Sequence, residues 1–233
     1  MAVITIAGTM GSRVPEIGGG VANALGLDYL DHEILVDGAR RLGVSVDVMV
    51  ERDERCRSFG GKVAGLLRNF LEQSASAGAV DPMTGSAGLE VLLSRSYNEA
   101  VSSPSSSPDD KLYIGALKAV IEGLARRDNV VIVGRGGQAI LHDRPNVLHV
   151  TINAPFAWRV ENIARRDGIP NEEAARIIAD FDRQRADYHK KFFKVDVNDP
   201  HLYDLGLNSE RLGVDRAREA ICAAAPVREM VAV

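Results

Sequence analysis

Val3-Ile4-Thr5-Ile6-Ala7-Gly8-Thr9-Met10-Gly11-Ser12-Arg13-Val14-Pro15-Glu16-Ile17 opens the chain, and its reading decides the fold. Val3 to Ala7 lacks the polar alternation of a half-exposed strand, so it reads as a central strand of a parallel sheet, covered on both faces. A glycine turn follows, and then a helix with Ile17, Val21, Ala24 and Leu25 on one side. Pro15 suits the first helical turn, where its missing N–H does no harm. Strand, glycine turn and helix N-terminus together make an anion site: backbone N–H groups and the helix dipole converge, and glycine lets a phosphate approach. Gly8-x-x-Gly11 stands where such a loop belongs. The full phosphate-gripping pattern continues Gly-Lys-Ser/Thr, whereas this chain continues Arg13-Val14-Pro15. The lysine and the metal-binding hydroxyl are both missing, which leaves Ser12 or Thr9 to offer a hydroxyl and Arg13 a charge. Such glycines also occur as plain packing turns.

Outward from this stretch, Gly26 to Asp31 reads as a short second strand. Val63, Leu66, Leu67, Phe70 and Leu71 recur at i, i+3, i+4, i+7 and i+8, which predicts an amphipathic helix. A turn-rich run from Ser74 to Gly88 precedes a second helical stretch over Leu89 to Ala100. Ser102 to Pro108, all serine and proline, can bury almost nothing and is expected to be flexible. Residues 53–110 therefore read as a helical insertion in a single domain spanning 1–233. Beyond it, Tyr113 to Leu124 is a helix and Val130 to Val133 a buried strand ending at Gly134-Arg135-Gly136-Gly137. Val147 to Ile152 is another strand, followed by a helix from Phe156 to Arg166. A long helix starts at Asn171 with Ala174, Ile177, Ile178, Phe181, Tyr188 and Phe192 on its apolar side. A strand with Tyr203, Leu205 and Leu207 and a final helix close the chain. Strands alternating with helices predict an α/β fold with a parallel sheet covered on both faces.

Composition is that of an ordinary globular chain: 233 residues, 45% apolar, 26% charged, net charge −4. Nothing in it pulls toward nucleic acid, and no stretch reaches the roughly 18 apolar residues of a membrane span. The N-terminus lacks the basic n-region of a signal peptide, and Cys56 and Cys222 lie far apart without a C-x-x-C partner. Two unpaired thiols and a cytoplasmic location are expected. The five histidines show no ligand spacing, so no protein-held metal site is expected.

Taken together, these segments resemble the cytidylate kinase-like family, a divergent branch of the nucleoside monophosphate kinases. Val3 to Ile6 followed by Gly11-Ser12 and Glu16-Ile17-Gly18 is similar to that branch's opening, where Gly-Ser-Gly-Gly already replaces Gly-Lys-Ser/Thr. Leu27 to Leu35, with Tyr29, Asp31 and Glu33, is similar to its second-strand motif, and Val131 to Arg135 to its Gly-Arg strand end. Arg159, then Asp182, Arg183, Arg185 and Tyr188, then Tyr203-Asp204-Leu205 and Asn208, resemble its C-terminal half. The resemblance implies a three-layer P-loop kinase fold with five parallel strands in order 2-3-1-4-5. It also implies phosphoryl transfer from ATP, with Mg2+, to a nucleoside monophosphate, CMP foremost. The chain departs from true cytidylate kinases at several points. Val133 and Gly136 stand where aspartates flank the Gly-Arg, the Thr-Gly-x-x-Tyr-Arg segment is absent, and Arg13-Val14 replaces the branch's Gly-Gly.

Gly8, Gly11, Ser12 and Arg13 are thus the candidate cradle for the donor phosphates. Arg135, just past a strand at the carboxyl edge of the sheet, is the candidate ligand of the acceptor phosphate, with a salt bridge as its plainer role. Asp31 is either a substrate or magnesium contact or the N-cap of the helix that follows. Arg159, Arg183 and Arg185 are the candidates for closing over the transferred phosphoryl group. Arg183 also fits a surface ion pair, since Arg176, Asp180, Arg183 and Asp187 share one helix face. Two further expectations remain: a nucleotide-binding or scaffold protein of the same fold that has lost catalysis, and a homodimer formed through the apolar residues of 53–110.

Overall fold

The computed structural model describes residues 2–43, 54–76, 85–102 and 107–226. In chain order these form β1 (Val3–Gly8), α1 (Val14–Leu25), β2 (Asp28–Leu30), α2 (His32–Arg40), α3 (Glu54–Ser76), α4 (Gly85–Leu93), α5 (Tyr97–Ser102) and α6 (Pro108–Arg126). There follow β3 (Val130–Val133), α7 (Gly137–Ile140), β4 (Val147–Asn153), α8 (Phe156–Asp167), α9 (Asn171–Phe193), β5 (Leu205–Asn208) and α10 (Ser209–Ala224). The chain divides into two compact units, Met1–Tyr29 with Asp128–Val233, and Leu30–Arg127.

The strands make one parallel sheet in order β2-β3-β1-β4-β5, as the family resemblance implies. β1 lies in the middle, with Ile4 beside Val131 of β3 and Leu148 of β4. Its apolar run, broken only by the buried Thr5, is explained by that place, because helices cover both faces. On one face Ile4, Ile6, Val150 and Ile152 pack against Ile17 and Val21 of α1 and Ala217 and Ile221 of α10. Burying such a side chain fully is worth about 1.5–3 kcal/mol. Thr5, Ile132 and His149 look to the other face, where Gly137 of α7 sits close to Thr5 and Ile132. Parallel strands leave the turns after β1, β3 and β4 at the same sheet edge, where ligands of open α/β sheets bind.

The second unit is helical. α3 buries Phe59, Val63 and Leu67, α4 buries Leu89, Leu92 and Leu93, and α6 buries Tyr113, Leu117, Val120, Ile121 and Leu124. Leu66 lies against Gly123 and Phe70 against Gly115, both on α6. The unit begins at Leu30 and ends at Arg127, wider than 53–110, because α2 and α6 pack on α3.

Three local readings change. The stretch over Leu89–Ala100 is two helices, because Ser96 and Glu99 form a reciprocal cap that restarts the helix. The Ser96 N–H donates to Glu99 Oε2 at 2.7 Å, and the Glu99 N–H to Ser96 Oγ at 3.3 Å. Ser107 and Pro108 start α6 rather than end a flexible run. Ser107 Oγ accepts the Asp110 N–H at 3.1 Å, Pro108 stands in the first turn, and Asp109 and Asp110 favour the positive end of the dipole. Residues 103–106 of that run and 77–84 of the turn-rich run lie outside the described residues. Ile177, counted on the apolar side of α9, is 38% exposed at the edge of the stripe.

Candidate functional site

The loop after β1 is built from its own backbone. The Ser12 N–H donates to the Thr9 carbonyl at 3.2 Å, and the Thr9 N–H to the Ile152 carbonyl at 3.3 Å. Ser12 is fully buried, with its hydroxyl 2.6 Å from Thr9 O and 3.0 Å from Ile152 O. That hydroxyl braces the turn from inside. Gly8 ends β1 in register with Ile152. Gly11 has φ +84°, and a Cβ there would lie 2.9 Å from the Arg159 carbonyl, so both conformation and space demand glycine. Arg13 caps α1 with φ 61° and pairs with Glu16. An L-residue in that left-handed conformation costs roughly 1–2 kcal/mol. Val14 turns into the hydrophobic core beside Ile17. In the first turn of α1 Pro15 has no N–H and the Ile17 N–H donates to the Arg13 carbonyl at 3.1 Å, which leaves the amides of Val14 and Glu16 without a helical acceptor.

Arg159 is a strut beneath this loop. It is 6% exposed, with Nε donating to Ala154 O at 3.1 Å and Nη1 to Met10 O at 3.1 Å and to Asp182 Oδ2 at 2.7 Å. Asn162, one turn on, donates from Nδ2 to Gly11 O at 3.2 Å. The loop is thereby tied to α8 and, through Asp182, to α9.

The turn after β3 is the second feature of this edge. Gly134, Arg135 and Gly136 take φ 72°, 53° and 77°, three left-handed residues in succession. Arg135 is 7% exposed in a conformation that strains any side chain. A Cβ on Gly136 would lie 2.3 Å from the Phe193 ring, so α9 passes directly over the turn. Arg185, His189 and Phe193 lie at i, i+4 and i+8 along that face of α9. The Arg185 guanidinium and the Gln138 amide lie beside the Tyr203 hydroxyl, which donates to Val197 O at 2.8 Å. Arg185 is only 5% exposed and makes no ion pair among the described residues. Gln138 Nε2 is buried with no hydrogen-bond partner among them.

Burial governs the titrating groups here. It pushes the Tyr203 phenol up, opposed by the Arg185 charge, and pushes His149 down, opposed by Asp204. His149 is structural, with Nδ1 2.7 Å from Thr5 Oγ1. His189 is held neutral, its pKa pushed down to about 4 chiefly by burial, with the neighbouring Arg185 charge acting in the same direction. Its Nδ1 lies 2.7 Å from the Arg185 carbonyl, which opposes the shift. Because the folded value lies below the unfolded one, the stability contributed by neutral His189 is present above about pH 6.5 and is lost as pH falls toward 4. At 1.36 kcal/mol per unit, this contribution should fall by roughly 2 kcal/mol between pH 7 and pH 5. Denaturant unfolding of wild type and His189→Leu at both pH values checks this. Parallel losses in the two proteins would remove His189 as the source.

The loop residues Gly8, Gly11, Ser12 and Arg13 and the strut Arg159 meet at one corner of the sheet edge, and Arg135 and Arg185 belong to the turn after β3 and the helix above it. Arg183 faces outward and pairs with Asp180 at 2.7 Å. Asp31 belongs to the helical unit, where its carboxylate caps α2 by accepting the Ile34 N–H at 3.0 Å. Gln138 and Asn162 escaped the sequence reading. Asn162 was detectable in principle as the i+3 neighbour of Arg159, whereas Gln138 carries no local signal.

An all-parallel 2-3-1-4-5 sheet with a glycine turn between its middle strand and first helix defines a P-loop kinase fold. The chain belongs to the cytidylate kinase-like family, which it matches over residues 3–211. The cytidylate kinase of Thermococcus sibiricus is 36% identical over 87 residues, 37% of this chain and 44% of that protein. The cytidylate kinase of Methanoregula boonei is 29% identical over 117 residues, 49% of this chain and 61% of that protein. The chain thus spans about half the length of the curated relatives it matches. A crystal structure of an uncharacterized protein from Eubacterium ventriosum shares the fold, with a TM-score of 0.59 and 18% identity over 97% of this chain and 99% of that one. No helix among the described residues is long and apolar enough to cross a membrane.

Proposed function

We propose that the protein is a nucleoside monophosphate kinase, moving the γ-phosphoryl group of ATP to a pyrimidine monophosphate such as CMP. The bond from the γ-phosphorus to the β-bridging oxygen breaks, a bond to an acceptor phosphate oxygen forms, and ADP leaves with the electron pair. The observation that carries this reading is Arg185, a buried guanidinium with no ion pair among the described residues. Buried charges are expensive unless compensated, so an anion is the natural occupant beside it. Arg135, strained at the neighbouring strand end, is the second cation for the acceptor phosphate. The Val14 and Glu16 amides of α1 and Arg13 would receive the donor phosphates, with Gly8 and Gly11 making room for Val14 and for the Arg159 backbone and Ser12 shaping the loop from inside. Arg159 would act by holding that loop, and Arg183 would have to leave Asp180 to join the transfer.

Magnesium neutralises donor phosphate oxygens in such reactions. The residues of the loop do not fit a protein-held ion: Pro15 stands where the metal-binding hydroxyl belongs, Ser12 Oγ is turned inward, and no cluster of three potential metal-ligating side chains occurs among the described residues. The metal would arrive with the nucleotide.

The buried Val14 and inward Ser12 favour a second reading, a nucleotide-binding or scaffold protein that has lost turnover. Calorimetry with ATP and CMP, each with and without magnesium, followed by a turnover assay, separates the two. Arg135→Ala and Arg185→Gln should each weaken CMP binding by about 1.5–3 kcal/mol, the range for hydrogen bonds to charged groups. Unchanged affinity in both would take the acceptor phosphate away from this corner. The cytoplasm is the expected location under either reading. A homodimer through the helical unit would have exposed Val91 and partly buried Leu66, Phe70 and Leu71 to cover, since Leu67, Leu92 and Leu93 are buried.

A further inference from the structure

We propose that Phe156 is the platform on which the base of the donor nucleotide stacks, and that donor choice is therefore tolerant of the base. The inference rests on the kinase reading above and names a residue of its donor site. Among the described residues the exposed large hydrophobic side chains are Val91, Phe156 and Ile177, and Phe156 is 46% exposed. It opens α8 directly after Ala154-Pro155, at the sheet edge that carries the phosphate loop. Arg159, one turn later, presses its backbone against Gly11 and donates to Met10 O. Phe156 therefore stands about one helical pitch, roughly 5 Å along the axis, from the point where α8 touches the loop.

The ring is also held from behind. The Arg159 Cζ lies 5.4 Å from its centroid, and Ala154 O, Met10 O and Asp182 fix that guanidinium. A cation against an aromatic face steadies the ring. A side chain locked in this way loses little freedom when a second flat group lies on it. One isolated ring beside an arginine is far too small for a protein partner, which needs about 800 Å² on each side. It matches one nucleobase. A base whose phosphates sit on the α1 amides has Phe156 as the exposed aromatic surface at this edge. Stacking depends on the π-face that every base has, so adenine and guanine donors should bind alike.

Calorimetric titration of wild type, Phe156→Ala, Phe156→Leu and Phe156→Trp with ATP, GTP and inorganic tripolyphosphate tests this. Wild type should bind ATP and GTP within a few-fold of each other. Phe156→Ala and Phe156→Leu should each lose about tenfold toward both, the scale of one base–aromatic stack. Tripolyphosphate, which has no base, should bind all four proteins equally. Phe156→Trp should restore nucleotide affinity, with indole emission quenched by ATP beyond any change seen from Trp158 in wild type. Nucleotide affinity unchanged in Phe156→Ala and Phe156→Leu would overturn the platform and leave the kinase reading standing. Wild type that binds neither nucleotide nor tripolyphosphate would overturn both.

Discussion

Arg159→Ala should destabilise the protein by about 3–5 kcal/mol, the scale of breaking a buried ion pair. The guanidinium is buried and spends Nε on Ala154 O and Nη1 on Met10 O and Asp182 Oδ2. Removing it strands two carbonyls and a carboxylate and opens a cavity under the loop. Asp182→Asn keeps the shape and removes only the charge, so it should cost less, about 1–2 kcal/mol. A double-mutant cycle measured by denaturant unfolding gives the coupling between the two residues. The kinetic signature separates the roles open to Arg159. A strut that positions the loop raises the KM for ATP in step with lost stability. A side chain that meets charge only in the transition state lowers kcat instead, with KM unchanged. The geometry leads us to expect the first pattern, and a kcat defect at wild-type KM would restore Arg159 to the reacting centre.

Turnover of CMP by the wild-type protein should be slow, two to three decades below that of a kinase with an intact loop. The lysine missing from Arg13-Val14-Pro15 normally bridges the donor phosphates and follows the charge as it moves. Comparable single contacts to developing charge contribute about 3–4 kcal/mol. Val14 has no charge to supply, and a lysine in its place would have to turn from the core toward the loop. Arg13 carries one, yet its guanidinium is engaged with Glu16, and its left-handed backbone is of the kind glycine adopts freely. Replacing Arg13-Val14-Pro15 by Gly-Lys-Ser should recover much of the deficit in a magnesium-dependent assay. Wild type turning over CMP at tens per second would show that another residue already supplies the charge. ATP failing to bind with or without magnesium would favour the scaffold reading.

Much of this was legible in the chain. Val3 to Ala7, apolar but for Thr5, reads as a central strand, and Gly8-x-x-Gly11 before a helix reads as a tight turn at its end. Those two readings, with the alternation of strands and helices after Val130, are local: they depend on side-chain period and on backbone freedom at glycine, both written in neighbouring residues. The Ser96–Glu99 cap and the Ser107-Pro108 helix start were local as well, and were missed because serine and proline belong equally to loops and to helix beginnings.

Side-chain roles at the edge were not legible. Arg159 and Met10 are 149 positions apart and meet only because β1 and β4 pair in register, which carries α8 onto the loop. Ser12 reads as a possible ligand until the carbonyl of Ile152, on the neighbouring strand, draws its hydroxyl inward. Arg183 and Arg185 are two positions apart on one helix, so they face about 200° apart around its axis. Sequence named both, but packing over the Gly134–Gly136 turn decided which one is buried beside Tyr203 and which one pairs with Asp180 at the surface. Sequence thus determined the elements and the edge at which they end. The burial of each charge was set by contacts between segments far apart in the chain, which form only once the sheet has fixed their distances.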